Sequence, residues 1–145
     1  MPNDPRVVEI LLVEDNPGDV RLTREALDEA HVENELTIAP DGEVAIALLR
    51  EWVAARQPRP VLVLLDLNLP GKDGRQVLAD IKSDPELCMT PVIVLTSSAA
   101  EQDVLESYRH HANAYVTKPI EIDDFLRAVR SIEGFWLSVV RFPRP

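Results

Sequence analysis

Five short apolar runs, each closed by a polar residue and followed by a longer amphipathic segment, constrain this chain more than any other feature. Val7-Val8-Glu9-Ile10-Leu11-Leu12-Val13 is nearly continuous in aliphatic residues, the pattern of a strand buried on both faces. It stops at Glu14-Asp15-Asn16-Pro17, where Asn16 can cap a helix and Pro17 can occupy its first position, since the missing N–H costs nothing there. Leu22, Ala26, Leu27 and Ala30 then recur at helical spacing. Leu36-Thr37-Ile38-Ala39 reads as a second strand, and Val44, Ile46, Ala47, Leu48 and Val53 mark a second helix that ends before Pro58 and Pro60. Val61-Leu62-Val63-Leu64-Leu65 is a third buried strand, stopping at Asp66. The Pro and Gly content of 69–74 makes a loop, after which Val77, Leu78 and Ile81 share one face of a helix closed by Asp84-Pro85. Pro91-Val92-Ile93-Val94-Leu95 is a fourth strand, ending in Thr96-Ser97-Ser98, and a weakly amphipathic helix is expected over about 100–110. Ala112-Asn113-Ala114-Tyr115-Val116 is a short fifth strand that ends at Thr117-Lys118-Pro119. Ile122, Phe125, Leu126, Val129 and Ile132 give the last helix a clear apolar face.

Parallel neighbours need crossovers, so five βα units in one small chain imply an α/β fold: a doubly wound parallel sheet with helices on both faces. At this size the flavodoxin-like (βα)5 arrangement, strand order 2-1-3-4-5, is the expected member of the class. A length of 145 residues suits one core rather than two. The expectation is a single domain over 1–145, with its core at about 7–132 and an apolar extension of the last helix or a tail over 133–145. Acidic residues outnumber basic ones, 25 to 15, for a net charge of −10. Such a surface repels phosphate backbones and argues against nucleic-acid binding. No apolar run approaches the roughly 20 residues of a membrane span, and no basic segment followed by an apolar stretch marks a signal peptide at the start. Cys88 is the only cysteine, which rules out an internal disulfide. A soluble cytoplasmic protein without membrane or nucleic-acid partners is expected.

In open α/β sheets, ligands bind outside the carboxyl ends of the strands. Here those ends carry Glu14 and Asp15 (strand one), Asp66 (three), Thr96 (four) and Lys118 (five), and in the order 2-1-3-4-5 these four strands are consecutive neighbours. Three carboxylates, a hydroxyl and an ammonium would therefore meet in one crevice. Carboxylates so placed repel one another unless a cation neutralises them. Mg²⁺ fits, being hard, oxygen-seeking and content with a few protein ligands plus water. An Asp beside Mg²⁺ can attack phosphorus and form an acyl phosphate. Cations and hydroxyls then stabilise the equatorial oxygens during transfer. Taken singly, each residue has an ordinary explanation: a strand-end Asp forms turns or caps helices, Thr favours strands, and a Lys before Pro is a solvated loop residue. Pro119 can hold a cis bond that aims Lys118 inward, or can simply end the strand. Coincidence at four strand ends carries the functional reading.

The stretch from about Val7 to Ile132 resembles the receiver domain of two-component response regulators. The matching pieces are Val-Glu-Asp-Asn at 13–16, Asp-Leu-Asn-Leu-Pro-Gly-Lys-Asp-Gly at 66–74, Val-Leu-Thr-Ser at 94–97 and Val-Thr-Lys-Pro at 116–119. The resemblance implies that Asp66 accepts a phosphoryl group from a histidine kinase or a histidine phosphotransfer protein. It implies that Asp15, Asp66 and the backbone carbonyl of Asn68 ligate Mg²⁺, with Glu14 acting mostly through water, and that Thr96 and Lys118 bind the phosphoryl oxygens. Tyr115, three residues before Lys118, matches the family's switch aromatic; its ordinary explanation is a half-buried strand residue. The phrase from Pro17 to Thr23 and the tail from Ile132 to Leu137 look closer to small stand-alone regulators, some of which partner phytochrome-like histidine kinases.

On this reading phosphorylation draws Thr96 towards the new group, Tyr115 fills the space, and the surface of the fourth helix, fifth strand and last helix changes. Output must then be a surface rather than a catalytic domain, so no enzyme activity is expected. Phe135, Trp136, Leu137, Val139, Val140 and Phe142 exceed what one helical stripe can bury, and surplus apolar residues mark interfaces. A homodimer through the last helix and tail is expected. Three rivals are weaker. A haloacid-dehalogenase-type phosphatase wants a second acid two residues after its nucleophile, where this chain has Asn68. A flavin-binding flavodoxin wants a phosphate-cradling loop where this chain has Glu14-Asp15. A phosphorylation-independent pseudo-receiver scaffold would have no need of the complete acid set. His31, His110 and His111 read as solvated, Asp123-Asp124 as favourable placement at a helix dipole, and no chemistry attaches to Cys88 or Met89.

Overall fold

Aliphatic residues of both parities along the same strands form two separate cores, and these set the architecture of the computed structural model, which describes residues 7–31, 33–56, 59–69, 73–97 and 112–131. Its elements are β1 (Val8–Val13), α1 (Pro17–Glu29), β2 (Asn34–Ala39), α2 (Gly42–Ala54), β3 (Val61–Asp66), α3 (Gly74–Ser83), β4 (Val92–Thr96), β5 (Ala114–Thr117) and a last described helix, Ile122–Arg130. The sheet runs β2-β1-β3-β4-β5 with every pairing parallel, the expected flavodoxin-like order.

Successive strand residues point to opposite faces. Ile10, Leu12, Leu62, Leu64, Ile93, Leu95 and Val116 pack against α1 and the last helix, with Leu27, Phe125 and Val129 as their partners. Leu11, Val13, Val63, Leu65, Val92 and Val94 pack on the other face against Ala45 and Leu49 of α2 and Val77, Leu78 and Ile81 of α3. The strand interiors are buried on both sides, which is why the sequence shows runs instead of alternation.

Helix starts follow the capping signals. The Asn16 side chain accepts from the backbone N–H of Gly18 and Asp19, with Pro17 in the first turn. Asp41 and Asp73 cap α2 and α3 through Val44 N–H and Arg75 N–H. The last helix carries Asp123 and Asp124 in its first turn and Arg127 and Arg130 in its last, each complementing the helix dipole.

The structure departs from the sequence reading in four places. Strand β2 begins at Asn34, and β5 occupies Ala114–Thr117 rather than 112–116. On α1 the buried stripe is Thr23, Ala26 and Leu27, while Leu22 is 45% exposed. Thr23 tolerates burial because its hydroxyl donates to the Asp19 carbonyl at 2.9 Å. On α2 the fully buried positions are the small Gly42 and Ala45, with Leu49; Val44 and Ala47 are exposed, and Ile46, Leu48, Trp52 and Val53 lie partly buried at the margin. Small residues let the helix axis approach β1, so apolar bulk alone misplaces the buried face. The helix expected over about 100–110, Ile132 and the 133–145 extension lie outside the described residues.

Gly74 opens α3 where the helix meets the end of β3. A Cβ there would stand 2.4 Å from the Asp66 carbonyl oxygen and 2.6 Å from Leu67 Cα. Both are backbone atoms, so no side-chain rotation relieves the clash. Gly74→Ala is expected to cost about 2–3 kcal/mol through overpacking, measured as a lower midpoint in thermal or urea unfolding.

Candidate functional site

Register brings the polar strand tips level. Val13 lies opposite Leu65, Asp66 opposite Leu95, and Thr96 opposite Thr117, so β1, β3, β4 and β5 end together along one edge of the sheet. Glu14 continues the ladder by one residue, its N–H donating to Ala39 O at 3.0 Å. Its side chain is buried, and Asp15 beside it is exposed. Asp66 is 3% exposed, and its Oδ1 accepts from Asn68 N–H at 3.1 Å, a local turn that keeps the carboxylate facing the edge. Glu14, Asp15 and Asp66 each offer an oxygen within 4.8 Å of the others.

Lys118 enters from beyond β5. Its N–H donates to Thr96 O at 2.6 Å, and the Lys118–Pro119 peptide is cis. Nζ reaches Glu14 Oε2 at 2.8 Å, Asp19 Oδ2 at 3.0 Å and Asp66 Oδ2 at 3.1 Å. These groups line a cavity of about 490 Å³ that also touches Asn68, Ser97 and Leu22.

The electrostatics follow from burial and pairing. Burial pushes the Glu14 carboxyl above the ordinary range, partly opposed by the bond and charge of Lys118 and reinforced by the charge of Asp66. Burial alone would pull Lys118 down, but its bonds to Glu14 and Asp19 and the charge and bond of Asp66 outweigh it and hold the ammonium above the ordinary lysine value. The stabilisation from a raised lysine is fully present below the ordinary lysine pKa and is lost only as pH rises through the higher folded value. Lys118 is thus a fixed cation throughout the neutral range.

The acids also suit a divalent metal. Three carboxylate oxygens converge on this open cavity, the hard-oxygen donor set that Mg²⁺ or Mn²⁺ takes with water completing the shell.

The chain matches the family model of the response regulator receiver domain over residues 10–130. It belongs to that family. It is 49% identical over 142 residues to response regulator Rcp1 of Synechocystis sp., covering 97% of this chain and 95% of Rcp1. The solved Mn²⁺-bound form of Rcp1 is 48% identical and superposes with a TM-score of 0.66, over 94% of this chain and 99% of that one. The bacteriophytochrome response regulator AtBRR is 38% identical with a TM-score of 0.80, over 97% of this chain and 99% of that one. The phosphorylated cyanobacterial phytochrome response regulator RcpA is 50% identical with a TM-score of 0.67, over 90% and 94%. This receiver domain is therefore similar to regulators whose names tie them to phytochromes.

Of the site residues expected from sequence, Glu14, Asp15, Asp66, Asn68 and Lys118 converge on the cavity. Thr96 stands at the β4 tip but is wholly buried, and Ser97 lines the cavity in its place. Strand alternation explains this: Leu95 and Val116 face the α1 side, so Thr96 and Tyr115 face the other. Tyr115 pairs with Val94 and is 38% exposed, more open than the half-buried strand residue considered from sequence. Asp19 was not anticipated. Its signal was an acid in the first turn of the helix that follows Glu14-Asp15, one turn from the same edge. Lys82 was also overlooked. Its Nζ donates to Cys88 O, Thr90 O and Asn113 Oδ1 at 3.3, 2.9 and 2.8 Å, tying α3 to the opposite end of the sheet, and burial lowers its pKa.

Removing Lys118 leaves buried Glu14 and Asp66 without their common counter-charge. Lys118→Met is expected to cost on the order of 2 kcal/mol near pH 7–8. The deficit should shrink as pH falls towards 5, because protonation of a carboxyl that burial already raises relieves the repulsion. Thermal melts of both proteins across that range check this; an equal deficit at both ends would rule out charge as the cause.

Proposed function

We propose that this receiver domain is a stand-alone response regulator in a phosphorelay, accepting a phosphoryl group on Asp66 from a histidine kinase or a histidine phosphotransfer protein. The observation that carries this reading is the Asp66 carboxylate, held 3.1 Å from Lys118 Nζ and within 4.8 Å of ligand oxygens from Glu14 and Asp15. An Asp66 oxygen forms a bond to phosphorus as the donor's phosphorus–nitrogen bond breaks, and the electron pair leaves with the imidazole. Lys118 holds charge against the developing equatorial oxygens, and the Thr96 hydroxyl joins it after moving to the edge. Asp15, Asp66 and the Asn68 carbonyl would hold Mg²⁺, with Glu14 acting mostly through water, and the ion would supply charge neutralisation at the phosphoryl group. The chain's own catalysis ends with its phosphorylation, so it acts as a signalling protein and not as an enzyme on small substrates.

The kinase partner is of the phytochrome-like class, a proposal supported by the likeness to the bacteriophytochrome response regulator AtBRR and the phytochrome response regulator RcpA. The phosphoryl group adds about −1.5 to −2 charges and biases a two-state equilibrium through Thr96 and Tyr115. The readout is the surface of β5 with the helices beside it. Homodimerisation through the last helix and the 133–145 tail completes the scheme; both that tail and the helix expected over about 100–110 lie outside the described residues. A net charge of −10 disfavours nucleic acid, and no helix among the described residues is long and apolar enough to cross a membrane. A cytoplasmic setting, where histidine kinases present their phosphoryl donors, is part of the proposal.

Incubation with acetyl phosphate and MgCl₂ should add one phosphoryl group to the wild-type chain by intact mass. EDTA, Asp66→Asn and Asp66→Ala should each abolish the label. Uptake that persists in Asp66→Ala, or steady hydrolysis of small phosphoesters, would overturn the assignment in favour of another acceptor or a phosphatase. The dimer has its own check: light scattering at tens of micromolar protein should give twice the chain mass, and truncation at Glu133 should return it to one.

A further inference from the structure

Lys118 is shared by three carboxylates, and one of them stands outside the group that can hold a cation. The Lys118 ammonium donates to Glu14 Oε2 at 2.8 Å and to Asp19 Oδ2 at 3.0 Å and forms an ion pair with Asp66 Oδ2 at 3.1 Å. Glu14 and Asp66 belong with Asp15 to the converging trio; Asp19 does not. It is also the outermost acceptor, its side chain 35% exposed against 1% for Glu14 and 5% for Asp66. Its place is fixed by the start of α1. Its N–H donates to Asn16 Oδ1 at 3.1 Å and its carbonyl accepts from Thr23 Oγ1 at 2.9 Å. Its carboxylate therefore sits at the wall of the cavity through which a phosphoryl donor reaches Asp66.

Resting on the proposed function, we propose that Asp19 is a positioning residue that restrains Lys118 and thereby slows phosphorylation of Asp66. Two effects act in the same direction. To turn towards an incoming phosphoryl oxygen, Nζ must loosen its hold on these carboxylates. Glu14 is too buried to be left without a counter-charge, so Asp19, which water can solvate, is the bond that has to be broken. Its negative charge at the cavity wall also opposes the approach of an anionic donor. The chemistry is otherwise unchanged: an Asp66 oxygen bonds to phosphorus, the phosphorus–oxygen bond of acetyl phosphate breaks, and acetate leaves with the electron pair.

The test follows acetyl-phosphate labelling of the full chain by intact mass, with MgCl₂, at low and at high salt. Asp19→Asn keeps the side chain's shape and removes its charge. It should label about three- to tenfold faster at low salt, with a gap that narrows at high salt as charge is screened. A merely structural role would give no such salt dependence. Asp19→Glu restores the charge and should restore the slow rate. Asp28→Asn removes a charge from the exposed far end of the same helix and should label as wild type. Asp19→Ser is a second neutral variant, used with a melting curve in case the first folds poorly. Neutral variants that fold and label no faster than wild type overturn the assignment while leaving the proposed function standing. A wild-type chain that takes no label brings both down.

Discussion

Desolvated carboxylates at the rim of a parallel sheet need a permanent counter-charge, and Lys118 supplies it. Glu14 and Asp66 are almost wholly withdrawn from solvent, a state that costs several kcal/mol for an unpaired ion. Their distances to Nζ of 2.8 and 3.1 Å offset that cost only because the strands stop at matched heights. Since side chains alternate with period two, a one-residue slip of β3 against β1 would turn Asp66 to the opposite face and bury a leucine tip in its place. The two aliphatic cores make such a slip prohibitive. The pairing of Leu12 with Leu64 and of Val13 with Leu65 locks both faces at once. Core packing is therefore what places the acids, and the lysine makes their placement tolerable.

What was legible in the sequence follows from which forces are local. Strand runs, caps and terminators are written in consecutive residues: Asn16-Pro17 opens α1 as expected, and Val61 to Leu65 runs into Asp66 without a break. Crossovers imply a parallel sheet, and the order 2-1-3-4-5 is the arrangement expected of that class at this size; together they place Glu14, Asp15, Asp66, Thr96 and Lys118 at one edge, of which Thr96 alone is buried away from the cavity. The errors arose where a neighbour in space changes the meaning of a side chain. Leu22 looked like core, yet the cavity beside Lys118 leaves it open, while Thr23 is buried because it finds a carbonyl in its own helix. Asp19 reads locally as a favourable acid in a first helical turn; only the fold reveals a lysine 99 residues away at its side chain.

Parity separates the site into a chemical face and a second face. Alternation along β1, β3 and β5 puts Glu14, Asp66 and Lys118 on the side of α1 and the last helix, together with Asp19. The same alternation puts Thr96 and Tyr115 on the side of Val94 and α3. Under the proposed function, the group that receives phosphate and the groups that report it begin on opposite faces of one sheet.

That separation demands a connection through the sheet edge, and the backbone provides one. Thr96 O accepts the Lys118 N–H at 2.6 Å, so the residue whose ammonium meets Asp66 is bonded through its main chain to Thr96, whose hydroxyl moves under the proposed function. A displacement of Lys118 towards a phosphoryl group therefore acts on Thr96 without any intervening side chain. Thr96 itself is fully enclosed, and an enclosed hydroxyl can change its place only if another group takes up the space it leaves. Under the proposed function that group would be Tyr115, on the same face and 38% exposed. Under the proposed function, close packing on one face and bonding across the tip would make this strand end a two-state element.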